Sequence, residues 1–85
     1  MGDYMDRFTL KNYLFKIDEN IVMAFARNHN INLSYIEASN GLYFLRGHFD
    51  QLYSCYDKKE YIYYYFSDPF AYKMYQLISI VMNKI

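Results

Sequence analysis

One cysteine, one proline, three glycines and no tryptophan occur among the 85 residues, and nine basic residues are matched by nine acidic ones. Each scarcity narrows the field. A single thiol, Cys55, forms no internal disulfide, so the fold has to be held by packing. Zero formal charge at pH 7 offers little counterion release from a phosphate backbone, which disfavours generic nucleic-acid binding. No stretch reaches the roughly 18 uninterrupted apolar residues of a membrane span. The nearest is interrupted by Lys73, Gln76, Ser79 and Asn83. The opening MGDYMDRFTLKNYLFKID is broken by charges where an export signal needs a continuous apolar run, so a cytoplasmic location is expected. On the same ground the glycosylation-like triplet Asn32-Leu33-Ser34 reads as coincidence.

Catalytic chemistry is also thinly supplied. The candidate groups are Cys55, His29, His48, Asp50 and Asp57. A thiolate nucleophile needs a histidine in hydrogen-bond reach and a third group to orient it. A proton-transfer pair could form from His48 and Asp50 in the stretch RGHFDQ, although such a pair in a loop is more often solvated. Two histidines and one cysteine on separate segments have no metal-ligand spacing, and the three glycines form no phosphate-cradling pattern. The reading is a non-enzymatic chain with no cofactor and no metal.

What is abundant is apolar and aromatic mass: 54% of residues are hydrophobic and 22% aromatic, with twelve tyrosines and seven phenylalanines. That is enough to drive folding of one domain over residues 1–85, though at this size only about 60–65% of the unfolded chain's surface is removed and a partner would help. Residues encoded by A/T-rich codons (Tyr, Phe, Asn, Ile, Lys, Met) dominate, which suits an A/T-rich genome or a mobile element within one.

The periodicity predicts an α+β fold. Residues 3–17 read as helix, their apolar positions splitting into Tyr4, Phe8, Phe15 and Leu10, Leu14, Ile17. A second helix over Asp18 to Asn30 is capped by Asp18, with Ile21, Val22, Phe25, Ala26 and His29 facing inward. From Ile31 the period changes to two, and Asn40-Gly41 is a strong type I′ hairpin signal. Pairing across it puts Ile36, Ala38, Tyr43 and Leu45 on the buried face and Arg46 opposite Tyr35, in cation–π reach. A second hairpin, QLYSCYD and EYIYYYF about Lys58-Lys59, completes a four-stranded antiparallel meander. Here Cys55 faces Ile62, and Tyr53 faces Tyr64. Ile62, Tyr64 and Phe66 point to the core, while Tyr56, Tyr61, Tyr63 and Tyr65 form an outer ladder. A C-terminal amphipathic helix, opened by Asp68 and Pro69, covers the sheet with Phe70, Met74, Leu77, Ile78, Val81, Met82 and Ile85. Ile80 falls on its other side, among Lys73, Gln76 and Lys84.

The segment ARNHNINLSYIEASNG, residues 26–41, supports a different reading. Its order of Ala26, a turn residue at Asn30, Ile31 and then Ser34-Tyr35-Ile36 resembles the helix-turn-helix of the phage-repressor family. The resemblance covers these residues alone and implies a helix across 32–39 that enters the major groove. The chain departs from the family pattern at the turn, where Asn30 replaces glycine and His29 an apolar residue. The would-be recognition helix offers Asn32, Leu33 and Glu37 but no Lys or Arg.

Three functions follow in order. The first is a small protein-binding module that contacts a larger host protein through Tyr56, Tyr61, Tyr63 and Tyr65. Tyrosine joins a rigid ring to a polar tip and is enriched at interfaces. With its size and neutral charge, this suits a phage or mobile-element inhibitor of a host defence protein, an inference by analogy. The plainer account of the ladder is coding bias or a second covering helix. The second function is a DNA-binding regulator acting through residues 26–41. The third is a self-associating structural protein, with Tyr72 and Ile80 at a homodimer contact.

Overall fold

The computed structural model describes residues 7–83, and among them every regular element is a helix. The five are α1 (Arg7–Leu14), α2 (Glu19–Asn28), α3 (Tyr35–Ser54), α4 (Lys58–Tyr65) and α5 (Phe70–Asn83). The α+β expectation and its antiparallel sheet are therefore overturned: both hairpins are helical. Tyr4, Lys84 and Ile85 lie outside the described residues.

Helix α3 is the centre of the fold. Ala38, Gly41, Leu42, Phe49 and Leu52 are buried along it at separations of three, four and seven, one face of a helix. Of the four residues the hairpin reading assigned to the core, Ala38 is buried and Leu45 half-buried, but Ile36 and Tyr43 are 70% and 82% exposed, while Leu42 and Phe44 are buried. Asn40-Gly41 lies within the helix and makes no turn. The start of α3 is set by Ser34, whose Oγ accepts the Glu37 N–H at 3.1 Å while Glu37 Oε1 accepts the Ser34 N–H at 3.0 Å. This reciprocal cap satisfies two backbone donors that would otherwise lack partners.

Around α3 the core forms three connected clusters. Leu10, Leu14 and Ile17, from α1 and the connection after it, pack on Leu42 and Phe49. Ala26, Ile31 and Leu33 pack on Ala38, joined by Phe70, Leu77 and Ile80 of α5. Phe44 and Leu52 meet Ile62 of α4 and Ala71, Met74 and Ile78 of α5. The C-terminal stripe thus covers helices, with no sheet beneath it. Gly41 lies beneath α5, where a Cβ built on it would stand 3.6 Å from Phe70 Cζ, an ordinary contact distance.

The connections are specified by polar side chains. Asp18 caps α2, as expected, accepting the Ile21 N–H at 3.1 Å. The inward face of α2 is narrower than expected, because Ile21 and His29 are exposed. The helix closes on Asn30, at φ 61, with Asn30 N–H on the Arg27 carbonyl at 3.0 Å and Ile31 N–H on the Ala26 carbonyl at 2.8 Å. These two bonds are those of a Schellman turn, and asparagine tolerates its left-handed conformation. Arg46 is directed away from Tyr35: its guanidinium donates to the Leu14 and Ile17 carbonyls at 2.9 and 2.8 Å and lies over Phe15 at 5.7 Å. It therefore ties α3 to the α1–α2 connection.

Candidate functional site

Helix α4 carries the tyrosine run, and its start is written locally. Asp57 Oδ1 accepts the Glu60 N–H at 3.0 Å, so Asp57 is its N-cap. Winding Tyr61 to Tyr65 as a helix, with Phe66 extended at its end, sorts the rings by angle, where strand pairing would have sorted them by alternation. Ile62 is fully buried and Phe66, four residues on, is half-buried. Tyr64, expected beside them, points out and is 81% exposed.

Tyr61 and Tyr65, also four apart, form the rear wall of the surface with side chains from α3. Phe44 and His48 stack with ring centroids 4.3 Å apart. Tyr65 meets the edge of His48 at 4.9 Å, and Phe66 meets Phe44 at 4.9 Å. His48 Nδ1 and the Tyr61 hydroxyl share a 2.9 Å hydrogen bond. Withdrawal from water, and then the neighbouring Tyr65, raise the Tyr61 phenol above its ordinary value of 10.0. His48 itself departs from helical geometry, at φ −116 and ψ 15, so α3 kinks where its ring enters the aromatic wall.

In front of this wall lies an open groove of about 550 Å³ at the junction of α3 and α4. Tyr56, Tyr61, Tyr64 and Tyr65 line it together with Cys55, Asp57 and Glu60. Tyr56 is fully exposed and Tyr65 46% exposed. Three of the four tyrosines expected in the contact ladder, Tyr56, Tyr61 and Tyr65, are thus brought to one place, with Tyr64 added. Tyr63 is separated from them. Its hydroxyl donates to Asp68, a bond that pushes its pKa up to about 12, and its ring carries Lys59 at 5.9 Å on the other flank of α4.

The remaining candidates scatter. Cys55 caps the end of α3 and donates its thiol to the Asp57 carbonyl at 3.1 Å, so it does not face Ile62 as a strand neighbour. His48 and Asp50 have separate partners: Asp50 is exposed and paired with Lys11 at 2.8 Å and Arg7 at 3.2 Å, which hold its carboxyl below its ordinary value. His29 lies against Phe25 at the end of α2. Among the described residues no three His, Cys, Asp or Glu side chains are grouped to hold a metal ion, and no helix is long and apolar enough to cross a membrane. Of the two residues expected at a homodimer contact, Tyr72 is exposed and Ile80 is half-buried against the α2–α3 cluster.

The site was partly legible beforehand. Ser34-x-x-Glu37 and Asp57-x-x-Glu60 both spell a helix start, and read that way they would have placed α3 and α4 and so the true neighbours of Tyr61. No family model matches the chain, and no curated protein or solved structure does either.

Proposed function

We propose that this protein is a non-enzymatic binding module that engages a larger partner protein with the tyrosine groove at the α3–α4 junction. The observation that carries the reading is the grouping of exposed Tyr56, Tyr64 and Tyr65 around one groove, in front of a wall already packed by Phe44, His48 and Tyr61. Tyr65, braced by His48, Phe44 and Tyr61, loses little freedom on binding, which favours affinity. Acting by occupation of a surface, the module would inhibit its partner, the mode expected of a mobile-element antagonist of host defence.

The test places a photo-crosslinking residue at Tyr64, with exposed Asn20 of α2 as the control position. One partner cross-linked from Tyr64 and none from Asn20 is expected. Replacing Tyr64 or Tyr65 with alanine should then weaken that complex by roughly 30-fold each, the effect of losing an interface anchor of about 2 kcal/mol. A Tyr56, Tyr64, Tyr65 triple alanine variant that keeps its fold and its affinity would refute the reading.

A second reading, DNA contact through α2, the turn and α3, is favoured by the helical course of residues 35–39. Two observations oppose it. Six residues, 29–34, separate the helices, where the motif uses about 3–4. No Lys or Arg occurs between Asn28 and Leu45. It predicts steeply salt-dependent DNA binding that is lost on changing Asn40 and Tyr43.

A further inference from the structure

The charges around α4 are segregated in a way that selects the groove's occupant. Both carboxylates of this region, Asp57 and Glu60, line the groove, and no lysine or arginine does. The ammonium groups of the two adjacent lysines already have partners. Lys58 Nζ donates to the Cys55 and Tyr53 carbonyls at 3.1 and 3.4 Å. Lys59 Nζ lies between the Tyr63 and Tyr75 rings, 5.9 and 5.7 Å from their centroids, on the opposite flank. The positive end of the α4 dipole, which would attract an anion, is taken by the Asp57 carboxylate. Tyrosine faces edged by two carboxylates, with no lysine or arginine among the lining side chains, Lys58 bound to backbone carbonyls and Lys59 on the far flank, are complementary to a planar cation that stacks and donates hydrogen bonds.

Resting on the protein-contact reading above, we infer that the partner segment seated in this groove is a cationic peptide presenting arginine. The guanidinium stacks against the exposed Tyr64 and Tyr65 rings and donates to Glu60. Arginine suits the site better than lysine because its flat, weakly hydrated head group can meet a ring face and a carboxylate at once.

The experiment is an NMR titration of the labelled protein with the peptide acetyl-Gly-Arg-Gly-Arg-Gly-amide and with the same peptide carrying citrulline for arginine. Citrulline keeps the planar shape and removes the charge. The expected result is a saturable shift confined to Tyr56, Glu60, Tyr61, Tyr64 and Tyr65, weakened roughly tenfold with citrulline. Glu60→Gln and Tyr64→Ala should each weaken it with unchanged melting, while Glu19→Gln on α2 should bind as the wild type does. Equal binding of both peptides, shifts spread over unrelated carboxylates, or no saturation would overturn the inference. A Tyr64 cross-link to a partner alongside a failed arginine titration would overturn the cationic occupant alone and leave the contact surface standing.

Discussion

Replacing Gly41 with alanine separates the helical fold from the hairpin that residues 35–46 suggest. In a type I′ turn the glycine of Asn-Gly sits at positive φ, and alanine there costs about 1 kcal/mol or more. In α3 the same residue is mid-helix, where alanine gains about 1 kcal/mol over glycine from propensity. Space decides whether that gain survives burial. An added Cβ would meet Phe70 Cζ at 3.6 Å and the Met74 side chain at 3.8 Å, both ordinary van der Waals distances. The methyl therefore fits without displacing α5 and adds apolar contact of its own. Net stabilisation of about 1 kcal/mol corresponds to a rise in Tm of roughly 4–8 °C for a domain of this size. The assay is thermal and urea unfolding followed by far-UV circular dichroism. Gly47→Ala, where an added Cβ meets nothing within 4 Å, reports propensity without packing. A lower Tm for Gly41→Ala, with Gly47→Ala unchanged or raised, would refute the placement of Gly41 within α3 and beneath α5.

Arg46→Met keeps much of the aliphatic stem but leaves the Leu14 and Ile17 carbonyls without their donor, and urea unfolding should show a loss of about 2–3 kcal/mol. Glu37 is held below its ordinary value of 4.5 by the Ser34 N–H first, against the opposing effect of burial that comes next, and with the help of Lys73. A lowered folded-state pKa contributes stability that is fully present above the unfolded value and is lost as the pH falls through the folded one. The stability difference between wild type and Glu37→Gln should therefore hold above about pH 4.5 and shrink in more acidic solution; a difference that grows with acid would contradict the cap. Tyr63, at about 12, is the reverse case: its folded pKa is raised, so its contribution is present below about pH 10 and lost towards pH 12. A ¹³C-labelled tyrosine titration should show the Tyr63 ring titrating late and moving to lower pH in Asp68→Asn.

The sequence by itself determined the elements whose signals are local. Asp18 before a helical stripe marks the start of α2, and the run from Phe70 to Met82 marks α5, because a cap and a 3.6-residue repeat are settled within a few turns of chain. The helical tendency of residues 3–17 is met over Arg7–Leu14 alone; residues 15–17 are not helical, and 3–6 lie outside the described residues. Residues 35–66 carried two consistent local patterns. Alternation and Asn-Gly argued for hairpins, and β-branched and aromatic residues favour strands only when a pleated neighbour is there to receive them. The capping signals at Ser34 and Asp57 argued for helices. Tertiary structure decided between them: as a helix, α3 buries Ala38, Gly41 and Leu42 against α1, α2 and α5 together, and brings Phe44 and Leu52 to Ile62. A hairpin would have buried Ile36 and Tyr43 and left Leu42 and Phe44 outside. The same choice built the site. Tyr63 leaves the face of Tyr61 and Tyr65 because the run is helical, and His48, at the kink of α3, meets Tyr61 and Tyr65 across the α3–α4 junction, a juxtaposition that spacing along the chain does not encode.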